Sequence, residues 1–416
     1  MTPFKRFVRF ALIGVLILGG LFIGVAIPEI GLRIAGIEYK LYRIVDEERG
    51  WTYKPGDSGW YRFEGESYVT INREGFLDRE HTKVKPDNTF RIALLGDSFV
   101  AAREVPPEKA FASILERSLN GCDAMGGKQV EVLKFGIAGY GTDQELITLR
   151  QKVGDYDPDL VILAIFTSND IANNTLVLNN LLYNTHKPGK PYFVFEDGKL
   201  VLDRSFLETE EYRAQKSWSY KAYAELKSHS RLLQVMSRLK QTLMQTWAEP
   251  RTEALQNLKL MVEDEIYREP TDPRWQEAWQ VTEELIRMID QEVLAKGADF
   301  LALTLTNDLQ VHPNSALRQK AMEILGAKDL LYPEKRINAL GDREGFSVLN
   351  LAPDFQAYAE ENQVCLHGHD NAIPCGGHWN AVGHQLAGEK IAQKVCQDFR
   401  IEENPALKLT VKSEVY

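Results

Sequence analysis

Cysteine is scarce in this chain, with four residues in 416 (Cys122, Cys365, Cys375 and Cys396), and their spacings fit no zinc-binding pattern. Positive charge is in deficit as well. The sequence has 49 Lys and Arg against 59 Asp and Glu, a formal charge of -10, which argues against a surface built to neutralise phosphates. Nucleic acid is therefore not an expected partner. The chain has no glycine-rich nucleotide fingerprint and no metal cage, so neither cofactor nor metal is expected. It also lacks internal repeats and low-complexity tracts, and at 44% hydrophobic residues it can bury a sizeable core.

Long apolar runs are absent except at the N-terminus, where Phe10 to Ile27 carries no charge and follows Lys5, Arg6 and Arg9. Eighteen residues at about 1.5 Å per residue reach roughly 27 Å, enough to cross a bilayer core. Basic residues stay cytoplasmic, so the rest of the chain is expected on the far side, periplasmic or extracellular. A cleavable signal peptide is the alternative, with small residues at Gly24-Val25-Ala26, but the apolar run exceeds the usual length of roughly 7 to 15 residues. In such an oxidising compartment four cysteines can form two disulfides. Cys365 and Cys375 enclose a short loop and can pair, which leaves Cys122 for Cys396; four free buried thiols are the other possibility.

Five regions follow along the chain. Residues 1–37 form the cytoplasmic N-terminus and anchor, and 38–89 an extension with short strands. Residues 90–400 make the main α/β domain, with an insertion at about 176–270, and 401–416 a tail. In the main domain, short apolar runs alternate with helical stretches, the pattern of a mainly parallel sheet. The expected strands are Arg91 to Leu95, Val130 to Phe135, Leu160 to Phe166, Asp299 to Leu305 and Ser347 to Leu351. They predict a three-layer, flavodoxin-like core. The clearest helix spans Arg274 to Lys296, closed by Gly297. Within the insertion, "KPYFVFEDGKLVL" reads as a hairpin about Asp-Gly, and "YKAYAELKSHSRLLQVMSRLKQTLMQTW" as one or two amphipathic helices. This insertion is a candidate lid, a face for a membrane-protein partner, or structural filling.

The tripeptide Gly-Asp-Ser occurs twice. Pro55 precedes Ser58 and Gly59 follows it, so turn chemistry accounts for the first copy as a loop. The second, ending in Ser98, follows an apolar strand directly and precedes a helix. In open parallel sheets, ligands bind beyond the carboxyl ends of the strands, which puts Ser98 where an active site is expected; helix capping is the bland reading. Gly139 lies in the loop after the second strand, Asn169 in the loop after the third, and His378 just before the last helix. All four converge on one end of the sheet. Asp97 and Asp170 are expected to stabilise their turns, His384 to cap or pack, and His312 to sit in a loop. His367, His369 and Asp370 offer too few ligands for a metal.

These four blocks in order resemble the SGNH hydrolases, the GDSL-type esterase family, over most of Phe90 to Phe399. The resemblance implies that Ser98 is the nucleophile and His378 its base. It also implies that the Ser98 and Gly139 N–H groups and the Asn169 amide hold the oxyanion. Two positions depart from the family pattern. Thr167 stands where the third block has glycine, and Cys375 where the triad acid should lie, three residues before His378. Three outcomes follow: a Ser–His dyad assisted by a backbone carbonyl, a carboxylate from elsewhere such as Asp370, or loss of activity. The expected function is a membrane-anchored extracytoplasmic serine esterase or O-acyltransferase acting on an envelope glycan or lipid. The alternative is a noncatalytic scaffold of the same fold that docks on a membrane complex.

Overall fold

The computed structural model describes residues 3–39, 43–183, 189–247 and 264–399. The expected tail at 401–416 and parts of the insertion, 184–188 and 248–263, lie outside the described residues. Helix α1 (Pro3–Ile34) is followed by two antiparallel hairpins, β1 (Arg43–Asp46) with β2 (Gly50–Tyr53) and β3 (Ser58–Tyr61) with β4 (Ser67–Thr70). Ser58, expected in a loop, opens β3. Then come β5 (Thr89–Gly96), α2 (Ser98–Ala101), α3 (Phe111–Asn120), β6 (Gln129–Gly136), α4 (Thr142–Gln151) and β7 (Leu160–Ile165). Next are α5 (Asp170–Asn173), α6 (Leu176–Tyr183), the hairpin of β8 (Tyr192–Glu196) and β9 (Lys199–Asp203), α7 (Glu210–Lys216), α8 (Trp218–His229) and α9 (Arg231–Trp247). The described residues end with α10 (Pro273–Ala295), β10 (Asp299–Thr304), α11 (Ser315–Leu325), α12 (Tyr332–Glu344), β11 (Ser347–Asn350), α13 (Ala352–Asn362) and α14 (Ala381–Asp398).

The five expected strands form one parallel sheet in the order β11-β10-β7-β5-β6. This is the flavodoxin-like order, whose direction reverses at β5, so that the crevice between β5 and β7 is the natural ligand site. Alternate residues of each strand feed opposite layers. Ile92 and Leu94 pack with Phe111, Leu115 and Ile391 beneath α3 and α14, while Ala93 and Leu95 pack with Leu146 and Leu285 beneath α4 and α10. Burial on both faces explains why these strands read as continuous apolar runs. Trp51, Tyr53, Tyr61, Val69 and Phe76 join the second layer, so the two N-terminal hairpins are part of the main core.

Helix α10 ends with Lys296 as cap and Gly297 at φ +80°, as its sequence predicts. The β8–β9 turn places Asp197 and Gly198 at φ +49° and +77°, the pair of left-handed residues a tight hairpin needs. The segment expected to give one or two helices gives two, broken at Ser230, where the N–H closes α8 and the side chain bonds to Glu29. Both disulfides are formed, Cys122–Cys396 and Cys365–Cys375.

Candidate active site

The chain leaves β5 at Gly96 and turns at once into α2. A Cβ at Gly96 would lie 2.4 Å from Val100 Cγ2, so only glycine lets this short helix seat against the sheet. Asp97 caps it, accepting the Phe99 N–H at 2.9 Å. Ser98 therefore sits as the first residue of a helix at the carboxyl end of a central strand, buried except for a small opening. Its Oγ lies 2.8 Å from His378 Nε2.

His378 is held from both sides of its loop. Gly377 donates its N–H to Asp308 at 3.3 Å, and Gly368 donates to the His378 carbonyl at 3.0 Å. The Nδ1 edge of the ring meets a carboxylate that the sequence did not announce. Glu64, in the turn between β3 and β4, lies 2.5 Å from Nδ1 through Oε2 and accepts the His378 N–H at 2.6 Å through Oε1. The Glu64 turn is clipped to the His378 loop by Asn371, whose side chain bonds the Gly65 N–H at 2.7 Å and the Gly65 carbonyl at 2.9 Å. Gly377 (φ +82°) makes room, since a Cβ there would lie 2.1 Å from Glu64 Oε1.

Asp370, expected as one source of the missing carboxylate, is exposed and bonds to neither ring nitrogen. The reason is local. Asn371 is tied to Gly65 and Cys375 is cross-linked to Cys365, which leaves Asp370 at the surface while the imidazole faces the β3–β4 turn. Glu64 is separated from His378 by 314 residues, and no motif spacing marks it.

A second carboxylate, Glu104, is buried 3.8 Å from His378 Nδ1, and neither of its oxygens has a hydrogen-bond partner. Burial alone would depress the imidazole. The charge of Glu104, with the hydrogen bond and charge of Glu64, outweighs it and lifts His378 to about 9. Burial likewise pushes Glu64 upward, but its hydrogen bonds and charge pairing with His378 hold it below its usual value. The two carboxylates therefore favour the charged form of the imidazole, the form that would arise when His378 takes a proton from Ser98. Glu64, Glu104 and His378 are also the described residues close enough together to hold a cation, with ligand atoms within 4.8 Å of one another, although Nδ1 is already engaged by Glu64.

Asp97 Oδ2 lies 3.3 Å from Ser98 Oγ and 3.4 Å from Asn169 Nδ2, so one carboxylate oxygen joins the serine to the asparagine amide. Asn169 follows β7 and precedes α5, where Asp170 accepts the Phe166 N–H at 2.8 Å. Thr167, in place of glycine, is buried with its hydroxyl 3.4 Å from Glu334. Gly139 follows β6 at φ +80°, with the Arg43 guanidinium 3.2 Å from the position of an added Cβ. Arg43 and Trp51 also line a cavity of about 570 Å³ between the β1–β2 hairpin and α8.

The histidines His312, His367, His369 and His384 have structural partners. His384 accepts the Phe111 N–H at 3.3 Å and stacks on that ring; His312 accepts the Asn314 N–H at 3.1 Å. His367 is buried between Thr306 and the Gly377 carbonyl, and His369 is 3.2 Å from the Trp379 carbonyl.

No protein-family model and no curated protein matches the sequence. Among solved structures, the chain is similar to the acetyl xylan esterase AlAXEase, with 14% identity and a TM-score of 0.38 over 74% of this chain and 100% of that one. It is also similar to a lipase/acylhydrolase from Enterococcus faecalis, with 13% identity and a TM-score of 0.36 over 76% and 100% of the two chains. The acetylxylan esterase Axe2 from Geobacillus stearothermophilus gives 9% identity and a TM-score of 0.35 over 76% and 96%.

Proposed function

We propose that the chain is a serine esterase or O-acyltransferase working through a Ser98–His378–Glu64 relay. The observation that carries this reading is the continuous contact from Ser98 Oγ to His378 Nε2 at 2.8 Å and from His378 Nδ1 to Glu64 at 2.5 Å. In the reaction, neutral His378 takes the Ser98 proton as Oγ attacks an ester carbonyl. The tetrahedral anion is held by the Ser98 and Gly139 N–H groups and the Asn169 amide. His378 then returns the proton to the leaving alcohol, and water or an acceptor hydroxyl takes the acyl group from Ser98. Glu64 keeps Nδ1–H in place and stabilises the imidazolium formed at each step.

Cys375 at the acid position favours the alternative, a noncatalytic scaffold that docks on a membrane complex through its anchor and insertion; the Glu64 carboxylate at His378 Nδ1 speaks for the catalytic reading. The remaining part of the reading is location: α1 acts as a membrane anchor with the catalytic domain outside the cytoplasm, facing ester-bearing envelope glycans or lipids. In its support, Phe7–Ile34 is long and apolar enough to span a bilayer and none of its most apolar window is buried against the domain. Two disulfides suit an oxidising compartment. The test is labelling with an active-site-directed phosphonate followed by peptide mapping. The expected adduct is on Ser98; its absence under conditions that label a control esterase overturns the enzymatic reading.

A further inference from the structure

Helix α9 is amphipathic the wrong way round for a helix of a water-soluble domain. Gln234 is 2% exposed, with its amide donating to the Lys227 and Ser228 carbonyls and accepting the Tyr39 N–H at 3.0 Å. One turn on, the Arg238 guanidinium lies 4.5 Å above the Phe63 ring. The polar side of the helix thus faces protein. On the opposite side Leu232, Met236, Leu239 and Leu243 recur at spacings of four, three and four, one stripe of a 3.6-residue helix. Met236, Leu239 and Leu243 are 57%, 58% and 62% exposed. The neighbouring α8 buries no residue and exposes Trp218, Tyr223 and Leu226.

What covers this stripe is indicated by what α9 is fastened to. Its first turn is capped by Glu29 of α1, which accepts the Arg231 and Leu232 N–H groups at 3.0 and 2.9 Å and the Ser230 hydroxyl at 3.0 Å. Arg33 of α1 donates to the His229 carbonyl, and Arg231 pairs with Glu38 just beyond α1. Glu29 lies two residues past the uncharged run that ends at Ile27, at the level where a spanning helix leaves the hydrocarbon. The α8–α9 junction is therefore pinned at the point where α1 exits the bilayer.

We infer that α8 and α9 form an interfacial foot that lies in the lipid surface, with the Leu232–Leu243 stripe in the acyl boundary and the aromatic residues of α8 at headgroup level. The occupant is the bilayer itself. The foot would fix the catalytic domain at one height and orientation, with α8, one wall of the cavity beside Gly139, at the membrane surface. The inference rests on the reading of α1 as an uncleaved anchor, and its test separates the two.

All four cysteines are paired, so an introduced cysteine is the one free thiol. Full-length Leu239→Cys and Leu18→Cys, each spin-labelled in vesicles of phosphatidylethanolamine and phosphatidylglycerol, are compared for collision with oxygen and with a water-soluble nickel chelate. Thermal melting confirms that each variant folds. The expected result is several-fold higher oxygen than nickel accessibility at both positions. Lipid exposure at 18 with free nickel access at 239 overturns the foot and leaves the anchor standing. Exclusion of both reagents at 239 means that protein, a second copy or another chain, covers the stripe, and also overturns it. Free nickel access at 18 overturns the anchor and the foot together.

Discussion

The two Gly-Asp-Ser tripeptides open different structures, an antiparallel hairpin and a short helix after a buried parallel strand. At residues 56–58 the tripeptide leads into a short antiparallel hairpin, and Ser58 Oγ lies 3.1 Å from the Tyr68 hydroxyl across the pair. At residues 96–98 it ends a buried parallel strand, and Ser98 Oγ faces His378. The chemistry of the three residues is identical, so the strand behind them decides their role. The first copy is not idle, however, because the hairpin it opens carries Glu64 to the other side of the same imidazole. One region supplies the proposed nucleophile and the other the carboxylate.

Substitutions can break this comparison in order of size, read as hydrolysis of a simple aryl acetate. Ser98→Ala is expected to reduce kcat by about 10⁵-fold or more, in the range found for loss of a triad nucleophile. Glu64→Gln should cost about 10²- to 10⁴-fold, while Asp370→Asn leaves the rate unchanged; equal effects would deny the hairpin its part. Gly377→Ala should follow Glu64→Gln in direction, because the new Cβ would displace the carboxylate. Asn169→Ala is expected to cost about 10²- to 10³-fold in kcat with little change in KM, the mark of an oxyanion donor. Ser58→Ala sits at the bottom of the scale, with unchanged kinetics expected, since its hydroxyl meets Tyr68 across the hairpin.

Legibility in the sequence divides along the same line. Each strand of the main sheet was visible because burial on both faces demands an unbroken apolar run, and their order of appearance led to the observed architecture. Ser98, Gly139, Asn169 and His378 are legible because each follows a strand or precedes a helix at one sheet edge. Glu64 had no such signal. It lies in a hairpin turn whose four-residue strands carry weak alternation, and its partner is 314 residues away, so only the folded packing of Asn371 against Gly65 brings the two together. Cys375 hides the acid in the same way: its position is taken by a disulfide, and the carboxylate at Nδ1 comes from the other end of the chain.

The central claim is that Glu64 and Ser98 act through one imidazole, and the pH dependence of phosphonate inactivation tests it most directly. Inactivation needs neutral His378, so its rate rises as pH rises through the group's folded value. In the wild type that limb is expected with a midpoint of about 9, held high against burial by Glu104 and Glu64. In Glu64→Gln the maximal rate falls and the midpoint moves down toward the ordinary imidazole value of 6.5. Superposable profiles for the two proteins, in height and midpoint, would contradict the account.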